Sequence, residues 1–148
     1  MKNKPILIVT GEPKSVFFEI FFKSIKLNRF NSPLILICNI HDFKKQIKKF
    51  NYKKKFKILS IDNLKKNEFN NKQLNLLSIA SQNSSKIKFS TQSSKKYILD
   101  SFELAFKLIN DGFTYKLING PINKKKFLNN QYPGVTEYVA HYFNKKKI

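Results

Sequence analysis

The sequence predicts an α/β fold in which a largely parallel sheet is flanked by helices. Short unbroken apolar runs, of which residues 6–10 and 34–38 are the clearest, are typical of strands that are buried on both faces. The segments between these runs place apolar residues at helical spacing, as Phe43, Ile47 and Phe50 show. Regular alternation of such strands and helices favours a parallel sheet.

In the first half of the chain, glycine, proline or polar residues bound each apolar run. Ser15 is predicted to cap the first helix through its hydroxyl group, and His41-Asp42 is predicted to open the second helix. The elements predicted in this half are, in order, strand 6–10, helix 16–26, strand 34–38, helix 41–50 and strand 57–61.

The second half begins with a weaker strand and a low-complexity loop at residues 81–94, which is rich in Ser, Gln and Lys. Ser94 is predicted to cap the long helix that follows, and Gly112 is predicted to end it. Residues 144–148 are predicted to form a basic tail, and residues 1–148 to form a single α/β unit. The elements predicted in this half are strand 74–80, a helix between Ser94 and Gly112 with apolar positions from Tyr97 to Ile109, strand 115–119 and helices 123–129 and 136–143.

The net charge of +20 raises the alternative of a basic nucleic-acid-binding module. All but one of the 29 basic residues are lysines, and Arg29 is the exception. Proteins that read nucleic acids rely on arginine for bidentate and stacking contacts. We therefore interpret the charge mainly as lysines on solvated faces, and we expect no specific nucleic-acid partner.

The single cysteine, Cys38, lies in an apolar run and allows no disulfide within the chain. This favours a reduced, cytoplasmic setting and an inert, buried thiol.

No apolar run is long enough to cross a bilayer, so we expect no membrane partner. The apolar run at residues 6–9 is too short for the core of a signal peptide.

Two motifs near the end of the chain carry candidate binding residues. The first, Gly120-Pro121-Ile122-Asn123-Lys124, follows a predicted strand, and Gly-Pro forces a turn at its end. Asn123 offers a hydrogen-bonding amide and Lys124 a positive charge, which suit a phosphate or a carboxylate. The second motif is Tyr132-Pro133-Gly134-Val135-Thr136-Glu137.

Together with Thr10-Gly11-Glu12-Pro13, these motifs resemble the 4-hydroxythreonine-4-phosphate dehydrogenase family of vitamin B6 (pyridoxal phosphate) biosynthesis. In that family a first strand runs into Thr-x-Gly-Asp-Pro, and a later one into Thr-Gly-Pro-Ile-Asn-Lys. A Pro-Gly-His-Thr-Glu motif follows. The resemblance implies the fold of the amino-terminal portion of a two-domain enzyme like isocitrate or isopropylmalate dehydrogenase.

The resemblance also implies a reaction, cofactors and partners. The family oxidises and decarboxylates 4-phosphooxy-threonine, a phosphorylated small molecule, with NAD and a divalent metal such as zinc, magnesium or cobalt. The resemblance places Asn123, Lys124, Thr136 and Glu137 at the substrate-binding site, and it places the loop with Asn123 and Lys124 near the substrate's phosphate. It further implies a homodimer or a carboxyl-terminal half as partner.

The chain departs from the family's pattern at Val135, where the family has a metal-binding histidine. Valine has no donor atom, and the family's other metal histidines lie further along than residue 148. We therefore assign no catalytic or metal-binding residue, and we expect the chain alone to be inactive.

His41 and His141 are expected to be surface residues, although Glu137 and His141 are spaced to share one helix face. A non-catalytic phosphate-ligand binder or partner subunit on the same scaffold is a further alternative.

Overall fold

The structure is a computed structural model that describes residues 3–66, 68–79, 91–129 and 131–144. In this part of the chain a five-stranded sheet has the order β3-β4-β2-β1-β5, and every neighbouring pair of strands is parallel. The strands are β1 (Ile6–Val9), β2 (Leu34–Cys38), β3 (Phe56–Leu59), β4 (Leu74–Ser78) and β5 (Lys116–Asn119). The predicted α/β fold with a largely parallel sheet is confirmed.

Helices cover both faces of the sheet because side chains alternate along the strands. On β1, Leu7 and Val9 join one apolar cluster, whereas Ile8 joins the other. The first cluster contains buried residues of α3 and α4 with partly buried residues of α5, and the second contains residues of α1 and α2. The helices are α1 (Phe17–Leu27), α2 (Ile40–Lys49), α3 (Thr91–Asn110), α4 (Lys124–Leu128) and α5 (Val135–Asn144), with a short 3-10 helix at Ile61–Lys66.

The predicted caps of the first two helices need correction. Val16, not Ser15, is the N-cap residue of α1 and makes no side-chain cap bond, although the Ser15 hydroxyl accepts a hydrogen bond from the Phe17 amide at 3.4 Å. Helix α2 begins earlier than predicted because Asn39 caps it: Asn39 Oδ1 accepts hydrogen bonds from the backbone amides of His41 and Asp42.

The prediction that the low-complexity loop extends to Ser94 is wrong for its last residues. Helix α3 begins at Thr91, so residues 91–94 are helical and Ser94 does not start the helix. Serine and glutamine are only weakly unfavourable in helices, and burial of Ile98 and Phe102 further along stabilises the whole element. Residues 81–90 lie outside the described residues.

Other boundaries differ by a few residues. Strand β4, predicted as the weaker one, lies inside the sheet, and Leu76 and Leu77 on it are fully buried. The predicted strand 57–61 ends at Leu59, since Ile61 begins the 3-10 helix. Gly112 ends α3 as predicted, with a φ of 72° and an amide bonded to the Ile109 carbonyl. Of the predicted tail, Asn144 belongs to α5, and residues 145–148 are outside the described part.

Candidate functional site

The loops that follow β1 and β5 leave the same edge of the sheet towards opposite faces. β1 and β5 are neighbours, with Val9 opposite Asn119. The loop after β1 leads to α1 on one face, whereas the loop after β5 leads to α4 and α5 on the other. A place where the loops after two neighbouring strands lead to opposite faces is called a topological switch point. In open α/β sheets, ligands bind there, beyond the carboxyl ends of the strands. The geometry therefore places the candidate site at residues 10–16 and 120–137.

The two loops are bonded to each other through backbone and side chain. The Glu12 amide donates to the Pro121 carbonyl at 2.8 Å, and the Asn123 amide donates to Glu12 Oε2 at 3.0 Å. Glu12 stands where the family that the sequence resembles has aspartate, and its carboxylate holds Asn123 in the Gly120–Lys124 motif. Sequence reasoning missed this contact, although an acidic residue in a turn beyond a buried strand was a usable signal.

Glycine is required where the loops cross. A methyl group on Gly120 would collide with the carbonyl oxygen of Thr10 and lie 2.6 Å from the Phe17 ring. A methyl group on Gly11 would collide with the carbonyl oxygen of Pro121. These contacts involve backbone atoms that cannot rotate away, so the close approach depends on both glycines. The buried Phe17 side chain thus fills the space beside Gly120.

A buried tyrosine hydroxyl joins the carboxyl ends of β1 and β2 beside this crossing. Tyr97 on α3 shares a 2.8 Å hydrogen bond with Thr10 Oγ1, and its hydroxyl oxygen accepts one from the Asn39 amide at 3.2 Å. Burial raises the pKa of Tyr97 above its ordinary value, so the phenol stays neutral. The sequence placed Tyr97 only among the apolar positions of α3 and missed this polar role.

Asn123 and Lys124 lie where the second loop becomes α4. Asn123 is the N-cap residue, and its Oδ1 accepts a hydrogen bond from the Lys126 amide at 3.2 Å. The oxygen of its side chain is therefore engaged in the fold, while its nitrogen carries the two donor hydrogens of the amide. Lys124 is the first residue of α4, and it is exposed.

Lys124 and Glu137 are brought together over Gly134. A methyl group on Gly134 would lie 2.6 Å from Glu137 Oε2 and 3.9 Å from Lys124 Nζ. Both charged side chains thus reach the same side of this buried glycine. The ammonium can bind a phosphate, whereas the carboxylate can accept a hydrogen bond from a hydroxyl or amino group.

An aromatic cluster fixes α4 and α5 against α3. The rings of Phe102 and Phe127 stack at 5.8 Å, and Tyr138 packs edge-on against them at 5.6 and 5.4 Å. This cluster packs α4, which carries Lys124, next to α5, which carries Glu137. Thr136, the second residue of α5, is exposed, and its binding role stays a prediction.

The side chains at the second motif do not match the divalent-metal site that the resemblance implies. Val135 begins α5, is half-buried and packs against the apolar cluster, and it has no lone pair for a metal. In the described part of the chain, no three His, Cys, Asp or Glu side chains lie close enough to share a metal ion. His141 is exposed beside the Tyr132 ring, and His41 is exposed on α2.

Among the helices that the structure describes, none has the length and apolar composition that crossing a membrane requires.

Three solved structures have the same fold over 94% of this chain. They are 4-hydroxythreonine-4-phosphate dehydrogenases from Klebsiella pneumoniae (TM-score 0.71, 19% identity) and Burkholderia phymatum (TM-score 0.69, 16% identity), and a putative one from Salmonella typhimurium (TM-score 0.71, 18% identity). The match covers 44%, 43% and 44% of those chains, so this chain spans less than half of their length. At these identities the similarity shows the fold.

No curated protein matches the chain by sequence. The family described as pyridoxal phosphate biosynthetic protein PdxA matches residues 30–148. This range includes β5, both motifs and the helices that carry them. The chain therefore belongs to the PdxA family, and its fold corresponds to the amino-terminal part of the dehydrogenases.

Proposed function

We propose that this chain is the substrate-phosphate-binding part of a dehydrogenase that acts on 4-hydroxythreonine-4-phosphate with NAD in pyridoxal phosphate biosynthesis. We further propose that residues 1–148 alone bind the substrate weakly and do not oxidise it. The cytoplasm is the proposed setting, with a homodimer or a carboxyl-terminal half as partner.

The observation that carries the proposal is the convergence of Lys124 and Glu137 over Gly134, beside the switch point. The substrate of the family carries both a phosphate and an amino acid group. In our proposal the Lys124 ammonium group binds the phosphate, and the side-chain nitrogen Nδ2 of Asn123 donates a hydrogen bond to a phosphate oxygen. Two hydrogen bonds support this assignment, one from the Asn123 backbone amide to the Glu12 carboxylate and one from the Glu12 amide to the Pro121 carbonyl, because they hold the loop before any ligand binds.

In this proposal Lys124 and Asn123 bind and orient the substrate, and they take no part in the chemical reaction. NAD would accept the hydride, and a divalent metal would polarise the oxidised hydroxyl group, in the family's reaction. Val135 has no donor atom, so its side chain cannot bind that metal. Glu137 is the only charged acceptor near Lys124 that the motif supplies, and in our proposal it accepts a hydrogen bond from the substrate.

The packing of Val135 favours a second candidate, a non-catalytic binder of the same phosphorylated ligand. The side chain contributes to the apolar cluster that fixes α5, so this position serves packing. On this view, the chain retains the family's binding loop and has lost its chemistry. Specific nucleic-acid binding is not part of either proposal.

A turnover assay tests whether the chain catalyses. The full chain is incubated with 4-hydroxythreonine-4-phosphate, NAD and zinc, magnesium or cobalt, and NADH is followed by absorbance. We expect no NADH above a control without protein. Metal-dependent NADH formation would contradict the proposed inactivity, and its loss in Lys124→Ala but not in Lys125→Ala would place the substrate at the predicted loop.

A further inference from the structure

A cavity of about 550 Å³ lies at the opposite edge of the sheet from the candidate site. Leu34 and Leu74, the first residues of β2 and β4, line it, as do the end of α1 and the loop that follows. Because the strands are parallel, this edge holds their amino ends, and the Gly120–Lys124 motif lies at their carboxyl ends. The volume is in the range of small-molecule binding sites.

Among the described residues, four cationic side chains and no carboxylate line the cavity. The cations are Lys26, Arg29, Lys54 and Lys72. The end of α1 contributes about half a negative charge through its free carbonyl groups. Four positive charges outweigh this contribution, so the cavity attracts anions with several charges.

The side chain of Asn71 holds the loop that forms one wall of the cavity, through three hydrogen bonds. Asn71 Nδ2 donates to the carbonyl oxygens of Phe30 and Ser32 at 2.8 and 2.9 Å. Asn71 Oδ1 accepts a hydrogen bond from the Leu34 amide at 2.9 Å. These bonds connect the loop after α1 to the segment before β4, so this wall is formed in the absence of a ligand.

The cavity also contains apolar surface and the one arginine of the chain. Leu27 is 80% exposed and Phe30 is 37% exposed, and both line the cavity beside the cations. Arg29 is the only arginine among 29 basic residues. Its guanidinium group can bind a phosphate through two parallel hydrogen bonds, which lysine cannot do.

We propose that this cavity binds a nucleotide with two or more phosphates. Arg29 and the three lysines bind the phosphates, and the base lies against Phe30 and Leu27. The charge requires a multivalent anion, and the adjacent aromatic ring distinguishes a nucleotide from bare polyphosphate. This proposal does not depend on the function proposed for the opposite edge.

Calorimetric titration of the full chain with ADP and with tripolyphosphate at physiological salt tests the proposal. Arg29→Gln and Lys54→Gln are each expected to weaken the binding of both ligands by about fivefold or more, because each removes a charge-assisted contact. Phe30→Ala is expected to weaken ADP binding at least threefold and to leave tripolyphosphate binding within twofold.

Lys44→Gln and Lys48→Gln are the matched controls, because both lysines are exposed on α2 and outside the cavity. They are expected to change binding by less than about twofold, since salt screens distant exposed charges. Equal losses in the cavity and control variants, an equal effect of Phe30→Ala on both ligands, or no binding at physiological salt would overturn the proposal. Circular dichroism of each variant shows whether it remains folded.

Discussion

The backbone amide of Asn123 donates a 3.0 Å hydrogen bond to the carboxylate of Glu12, across a separation of 111 residues in sequence. The bond connects the turn after β1 to the loop that carries Lys124. The two loops begin on neighbouring strands and lead to opposite faces of the sheet. Glu12 is therefore a positioning residue for the candidate site.

Replacing Glu12 tests this connection. Glu12→Ala is expected to lower the free energy of unfolding by about 1 kcal/mol, because it removes one hydrogen bond to a charged acceptor. Glu12→Gln retains an acceptor oxygen and is expected to lose less than half of that amount. Urea denaturation of the two variants measures the difference, and an equal loss in both would show that the carboxylate's acceptor role is unimportant.

The strands and the turns that end them could be predicted from the sequence, because buried apolar runs and Gly-Pro dipeptides are local signals. Parallel strands place residues 10–13 and 120–124 at the same end of the sheet, but these residues are neighbours only because β1 pairs with β5, and the sequence did not predict this strand order. The Glu12–Asn123 bond and the Tyr97 hydroxyl could not be predicted, because such contacts depend on how distant elements dock. Asn39 was missed as a cap because it directly follows an apolar strand.

The crossing of the loops predicts a marked difference between two glycine substitutions. Gly120→Ala is expected to lower the free energy of unfolding by about 3 kcal/mol, because its methyl group meets the Thr10 backbone and the Phe17 ring. Gly112→Ala is the control: its φ is 72° but the space around it is open, so about 1 kcal/mol is expected. Thermal or urea unfolding compares them. A loss in Gly120→Ala no larger than that in Gly112→Ala would contradict the described approach of the loops.

The hydroxyl group of Tyr97 is expected to stabilise the carboxyl edge of the sheet. Tyr97→Phe leaves Thr10 Oγ1 and the Asn39 amide without this partner, and we expect a loss of about 2 kcal/mol in urea unfolding. Tyr115→Phe is the matched control, because the Tyr115 side chain is mostly exposed, and a change below about 0.5 kcal/mol is expected there. Equal losses would show that the two hydrogen bonds of the Tyr97 hydroxyl group do not stabilise the fold measurably.

Tyr97 also predicts how stability changes at alkaline pH. Burial raises its pKa in the folded protein above the value in the unfolded chain, so folding favours the protonated phenol. This contribution is fully present below about pH 10 and is lost as the pH rises further towards the folded pKa. The free energy of unfolding is therefore expected to fall less steeply above that pH in Tyr97→Phe than in the parent chain. Parallel slopes would contradict the assignment.

Cys38 is expected to be unreactive in the folded protein. The side chain is fully buried on β2, and burial raises the pKa of its thiol, so little thiolate forms near neutral pH. Ellman's reagent should label no thiol in the native chain and one thiol in urea. Rapid labelling without denaturant would show that this part of the core opens.

The central claim is that the loop at residues 120–124 binds the substrate's phosphate. Backbone amide chemical shifts measured by NMR test this claim most directly. On titration with 4-hydroxythreonine-4-phosphate, shifts are expected at residues 120–124 and 134–137, with an affinity on the order of millimolar, about 4 kcal/mol. Lys124→Ala should reduce them, whereas Lys125→Ala, its exposed neighbour, and Arg29→Gln should not. Shifts confined to the lysines of residues 44–57, or unchanged in Lys124→Ala, would contradict the claim.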